Sequence, residues 1–203
     1  MQLDKGNKGF SFSKEGPLDM RMDPTSGITA AEVVNQWPEK KLGEIIRDYG
    51  EERRWRHIAK AIVQARKKKK FETTGEFSGF LSEILGSRPG SKLHPATLVF
   101  QALRICVNHE LESLQRGLAS AIEKLSPGGR IGVISFHSLE DRIVKNMFRD
   151  AAKLTDDQKK KKKQAISLVK VLTKKPLVPT IGEIRSNARS RSAKMRFLEK
   201  SVL

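Results

Sequence analysis

Acidic residues are scarce relative to basic ones in this chain. Over 203 residues, 23 Asp and Glu stand against 40 Lys and Arg, a formal net charge of +17. That imbalance predicts attraction to a polyanion, with nucleic acid first and an acidic membrane surface second. The alternative is a basic protein with no specific partner. Cysteine is nearly absent. Cys106 alone cannot form an intrachain disulfide, which suits a reducing, cytoplasmic setting. Its apolar helical surroundings predict a packed residue and not a nucleophile. The four histidines, His57, His94, His109 and His137, show no Cys/His ligand spacing, so no zinc site is expected. No stretch approaches the ~20 apolar residues of a membrane span, and no apolar signal segment opens the sequence, so no membrane partner is expected. What remains is 37% hydrophobic. That is enough to bury the core of one domain, or of one domain plus a small insert.

The most distinctive stretch runs from residue 9 to 24, Gly-Phe-Ser-Phe-Ser-Lys-Glu-Gly-Pro-Leu-Asp-Met-Arg-Met-Asp-Pro. It fits neither a helical nor a strand period. Gly16-Pro17 punctuates it, and Asp19, Arg21 and Asp23 alternate with Met20 and Met22. A constrained loop that sets charges among apolar anchors is a common place for a site. The plainer reading is a surface loop with a local Asp–Arg pair.

Residues 28–92 read as a helical module without strands. Thr29-Ala-Ala-Glu32 and Thr73-x-x-Glu76 are capping boxes. Trp37-Pro38 separates the first helix from a second, which carries Leu42, Ile45 and Ile46 on one face. Glu51 to about Lys67 reads as a third, with Trp55, Ile58, Ala59, Ile62 and Val63 at helical spacing and Arg53, Arg54, Arg56, Lys60 and Arg66 around them. Such a basic helix suits phosphate contact. Lys67–Lys70 either extends that patch or forms a solvated face.

His94-Pro95 opens one long helix, roughly Ala96–Leu125, which Ser126-Pro-Gly-Gly ends. Arg130–Phe136 follows as a compact strand, apolar on both faces, which predicts a central strand covered by helices. Ser138-x-x-Asp141 reads as the cap of the next helix. This order is the unit of a doubly wound α/β sheet, whose ligands bind beyond the strands' carboxyl ends. His137, Ser138, Glu140 and Arg142 fall at that edge. Capping explains Ser138 and Asp141, whereas packing explains His137 less easily. Arg142 has Glu140, Asp19, Asp23 or a phosphate as candidate partners. Residues 153–166, with Lys159–Lys163, read as a mobile basic loop. Ser167–Thr173 and Ala193–Leu198 read as strands, and Thr180-Ile-Gly-Glu183 opens a short helix.

Four blocks closely resemble the RsmH/MraW family, whose members use S-adenosyl-L-methionine to methylate the exocyclic amine of a cytidine in small-subunit (16S) ribosomal RNA. They are the stretch 9–24, His94-Pro-Ala-Thr-Leu-Val-Phe-Gln-Ala-Leu-Arg-Ile, the run from Gly128 to Lys145, and Asn187-Ala-Arg-Ser-Arg-Ser-Ala-Lys-Met-Arg. The resemblance extends from residue 2 nearly to the C-terminus, apart from the lysine-rich stretch. It implies an α/β fold, the C-terminal part of a class I (Rossmann-like) methyltransferase with an inserted helical module. The implied organisation is a loop or connector over 1–27, a substrate-holding insert over 28–92 and methyltransferase residues over 93–203. Family members precede this region with a glycine-rich cofactor-binding strand–turn, which this sequence lacks. Met1 therefore looks like an internal methionine of a longer protein.

The resemblance implies roles as well as a fold. Gln2 matches a cofactor-contacting glutamine. Asp19, Asp23 and His137 are the candidates for accepting a hydrogen or proton from the target amine, and Arg21 is an alternative organiser of the two aspartates. His94, Arg104, Asn187, Arg189 and Arg191 follow as substrate-side or supporting residues, with an ion-pair role open for Arg104. The implied partner is small-subunit ribosomal RNA or its particle, and a homo-oligomer is compatible with it. Rival expectations are a non-catalytic basic RNA-binding piece and a fragment that needs a partner to fold.

Overall fold

The computed structural model describes residues 9–11, 15–25, 27–86, 94–153 and 168–202. Gln2 and the lysine run 159–163 lie outside the described residues, so the expectations placed on them do too. The chain divides into two compact units, residues 1–110 and 111–203.

The first unit is helical. α1 (Ala30–Gln36) and α4 (Thr74–Leu85) begin at the expected capping boxes, with Thr29 paired to Glu32 and Thr73 to Glu76. Proline separates α1 from α2 (Glu39–Asp48). α3 spans Trp55–Ala65 and starts later than the spacing predicted. The reason is Glu51, whose φ of 51° lies in the left-handed region and cannot continue a helix. Leu42, Ile46, Ile58, Ile62, Phe77, Leu81 and Leu103 are fully buried in one core. Cys106 joins that core, as its surroundings implied.

The expected long helix is two. α5 covers Thr97–Asn108 and α6 covers Glu110–Lys124. His109 breaks them with φ 49° and ψ 41°. An L-residue pays for that conformation sterically, so the surroundings must hold it. Arg104 does so in part, since its guanidinium grips Glu110 across the break at 2.7 and 2.9 Å. α5 packs on α1 and α2. The division between compact units therefore falls after residue 110, at the break between α5 and α6.

The second unit pairs helices with a small sheet. β1 (Arg130–Ser135), β2 (Val169–Val171) and β3 (Lys194–Lys200) lie in the order β1-β3-β2, and both pairings are antiparallel. Leu114, Leu118 and Ile122 of α6 pack with Val144 and Phe148 of α7 (Ser138–Ala151), Val169 and Leu198. α8 (Ile181–Ser186) starts at Thr180, as read from the sequence. A 3-10 turn (Ala188–Ser192) leads into β3.

β1 departs from expectation. It stands at an edge of the described sheet, not at its centre. Ile131 and Val133 face the core, but Ile134 on the other face is 54% exposed. Apolar residues on both faces signal burial in a complete sheet, and they do not report how many strands flank this one.

Candidate functional site

In the first unit, the described residues of the stretch 9–24 are divided between core and surface, with Glu15, Pro17, Met22, Asp23 and Pro24 exposed. Phe10, Leu18 and Met20 are core residues, and Met20 is fully buried. Leu18 donates its N–H to the Glu72 carbonyl, and the Gly16 carbonyl accepts from Thr74, both at 2.9 Å. The Asp19 and Leu18 carbonyls accept from Ala30 and Ala31 at 2.7 Å. Gly9 has φ 67°, and a Cβ there would collide with the Pro17 carbonyl oxygen. Met20 takes a φ of 64°. A buried L-residue in that region is strain held by its neighbours.

Asn108, at the end of α5, is one such neighbour. Its Nδ2 donates to the Met20 carbonyl at 2.8 Å, and its Oδ1 accepts from the Met22 N–H at 2.7 Å. Between those two anchors sits Arg21. Its Nε and Nη2 bond Asp19 Oδ1 and Oδ2 at 2.8 and 3.0 Å, and its N–H adds a third bond at 3.1 Å. The hydrogen bond to Asp19 raises the Arg21 guanidinium above its ordinary pKa, and the charges of Asp19, Glu32 and Asp23 add to the rise. Asp23 instead shapes a local turn. Its Oδ1 accepts from the N–H and hydroxyl of Thr25 at 2.9 and 2.6 Å, on the exposed side of the loop. Arg21 thus grips one aspartate directly, not both.

His94 is exposed, and its Nδ1 accepts the Ala96 N–H at 3.2 Å ahead of α5. Arg104 is the ion-pair partner of Glu110 described above.

In the second unit, the turn from β1 to α7 carries His137 and Glu140. The helix cap is His137 and not Ser138. Its Nδ1 accepts the Glu140 N–H at 3.4 Å, while Glu140 Oε2 accepts from the N–H groups of Phe136 and His137 at 2.8 and 3.2 Å. An accepting Nδ1 requires the neutral tautomer with its hydrogen on Nε2. Ser138 becomes the first helical residue and is exposed. Asp141 is drawn away from capping by β3. Arg196 pairs with it at 2.7 and 3.1 Å, and Lys194 stands 3.6 Å away. The Arg196 hydrogen bonds hold the Asp141 carboxyl below its ordinary range, against the opposing effect of burial. Arg142 is exposed on α7. Asn187 caps the 3-10 turn, its Oδ1 accepting the Arg189 N–H at 3.2 Å, and that turn exposes Arg189 and Arg191.

The sequence pattern of the MraW methylase family matches residues 1–201. The chain belongs to that family. Its relatives include proteins named ribosomal RNA small subunit methyltransferase H. The one from Protochlamydia amoebophila is 50% identical over 98% of this chain and 64% of its own length. That from Pelobacter propionicus is 53% identical over 98% and 65%. That from Rippkaea orientalis is 49% identical over 100% and 61%. The chain thus spans less than two thirds of the length of these relatives.

Within this MraW-family chain, sequence reasoning missed Asn108, the residue that latches the loop. Its one signal was a polar amide inside an apolar helical run. It also missed His137 as a cap, although a Glu three residues on is half of a capping box.

Proposed function

We propose that this chain is the substrate-side part of an S-adenosyl-L-methionine-dependent enzyme that methylates the exocyclic N4 amine of a cytidine in small-subunit ribosomal RNA. The observation that carries the reading is the loop 9–24. Its Phe10, Leu18 and Met20 are anchored in the core, Asn108 latches it and Met20 is strained, while Asp23 lies on its exposed side. The sheet order β1-β3-β2 supports the class I architecture, because an antiparallel hairpin closes one edge of that fold. In that reading the bare edge of β1 is where the remaining strands attach, and α1–α4 form the inserted module.

The described residues do not by themselves fit the cofactor. β1 passes into α7 through Phe136-His137, and the side chains of His137 and Glu140 fill the cap. No glycine-rich turn there leaves room for a ligand at the helix start. In a longer form that carries the family's N-terminal third, the cofactor would supply the methyl group. Asp23 then acts on the substrate side. Its carboxylate accepts a hydrogen of the N4 amine, returns electron density to a nitrogen whose lone pair is delocalised into the ring, and helps take up the proton. Asp19 and Arg21 hold the loop in shape for that contact. His137 orients the start of α7, with its Nδ1 engaged in the cap.

Isothermal titration of the folded chain with S-adenosyl-L-methionine is the first test, followed by methyl transfer to small-subunit particles. We expect no saturable binding and no turnover from the 203-residue chain, and both from a form that restores the family's N-terminal third. In that longer form, Asp23→Asn lowers kcat by at least about 100-fold with little change in cofactor affinity, in line with loss of a general base. Unchanged kcat would remove Asp23 from the chemistry. A second reading, a basic RNA-binding piece without catalysis, is favoured by the filled cap at α7. It would gain if the longer form also failed to turn over.

A further inference from the structure

Where α2 meets α3, the helical unit holds a pocket of about 420 Å3 lined by Glu39, Lys40, Trp55, Arg56, His57 and Lys60. None of these residues belongs to the loop 9–24. The volume is within the about 300–1,000 Å3 usual for a ligand site. The indole of Trp55 forms one wall. Gly43 of α2 makes room for it, since a Cβ at residue 43 would stand 2.9 Å from Trp55 Cε3.

Cations crowd this ring. The Arg56 guanidinium lies 4.2 Å from its centroid and that of Arg47 lies 5.3 Å away. Lys40 and Lys60 line the same pocket, and Glu39 is the one acidic side chain among the lining residues. At the start of α3 the buried Glu52 carboxylate accepts the Arg54 N–H at 2.8 Å and offsets the positive end of the helix, so the field at the pocket comes from the side-chain cations. Lys41 of α2 lies 3.6 Å from the Trp37 ring centroid.

A half-buried aromatic ring among exposed cations matches single-stranded nucleic acid, in which bases stack and phosphates pair. A duplex offers no unstacked base to the ring. An acidic peptide would use the cations and leave the indole idle. We propose that the α2–α3 pocket is a docking subsite for single-stranded RNA, with one base stacked on Trp55 and the flanking phosphates held by Lys40, Arg56 and Lys60. A base displaces Arg56 from the ring because stacking outweighs a cation–π contact at an exposed position. The released guanidinium then takes a phosphate in its fork. The subsite rests on reading the protein as RNA-acting, but not on methyl transfer. It positions the strand and does not choose the base.

The test uses the full chain without cofactor, titrated with a short oligouridine. In a Trp37→Phe background the fluorescence reports Trp55 alone, and affinities of all variants come from the anisotropy of labelled RNA. We expect saturable quenching. Trp55→Leu weakens binding about tenfold, whereas Trp55→Phe, which keeps a stacking face, stays within about threefold. Lys40→Ala and Lys60→Ala each lower the salt slope by about 0.7. The proposal is overturned if Trp55→Leu binds like the parent, or if duplex RNA of equal length binds as tightly with the same quench. It is also overturned if inorganic polyphosphate or an acidic peptide reproduces the quench. Should Trp55→Leu fail to fold by circular dichroism, the parent's quench and the two lysine variants decide. Quenching without methyl transfer would keep the subsite and remove catalysis. Methyl transfer by the longer form, with a KM for small-subunit particles unmoved by Trp55→Leu, would do the reverse.

Discussion

At the scale of single residues, Asp141 and Arg196 make the most consequential pair. Their side chains are 12% and 7% exposed. Removing one partner of a buried pair typically costs about 3–5 kcal/mol, because the other charge is left buried and uncompensated. Asp141→Asn is therefore expected to lower unfolding free energy by about 3 kcal/mol in chemical denaturation at neutral pH. The pH dependence follows from the direction of the shift. The folded carboxyl sits below the ordinary aspartate value of about 3.9, so its contribution is complete above that value. It is lost as pH falls through the lower folded value. The parent should lose more stability than Asp141→Asn over that acid range, and equal losses would show that the pair contributes nothing.

At the scale of elements, local signals were legible and supported ones were not. Thr29, Thr73 and Thr180 mark helix starts because a cap is made within four residues. The break at His109 leaves no such trace, since α5 and α6 keep an apolar period across it. An L-residue costs about 1–2 kcal/mol in that conformation. His109→Gly is accordingly expected to raise stability by about 1 kcal/mol, and His109→Val to lower it, as read from thermal melts. The loop latch belongs here too. Asn108→Ala removes the donor to Met20 and the acceptor for Met22, at a cost of about 2 kcal/mol for the stranded groups. Amide exchange at Met22 should accelerate. Asn108→Asp keeps the acceptor and should preserve Met22 protection, and equal exchange in both variants would argue against the latch.

At the scale of the whole molecule, the charge of +17 favours encounter with a polyanion such as the RNA proposed above. Affinity of the chain for unstructured RNA should fall steeply and linearly in log–log form as salt rises. A flat salt response would contradict an electrostatic partner. The same scale explains what the sequence hid about the sheet. Whether β1 is central or marginal depends on strands that its own residues do not name. Of the candidate site, the Asp19–Arg21 pair was legible because its partners are close in sequence. The loop latch was illegible because a distant side chain, Asn108, supplies the support.

The order β1-β3-β2 also sets a schedule. β3 joins the other two strands, yet it is made after both of them. During synthesis the helical unit can close while β1 and β2 still wait for β3, their shared partner in the described sheet, since units fold in the order in which they emerge. A nascent chain halted before Lys194 holds a finished first half and two strands that still lack β3. Protease pulses on arrested chains should therefore find residues up to about 110 resistant early, and the sheet resistant only once the seven residues of β3 have cleared the ribosome.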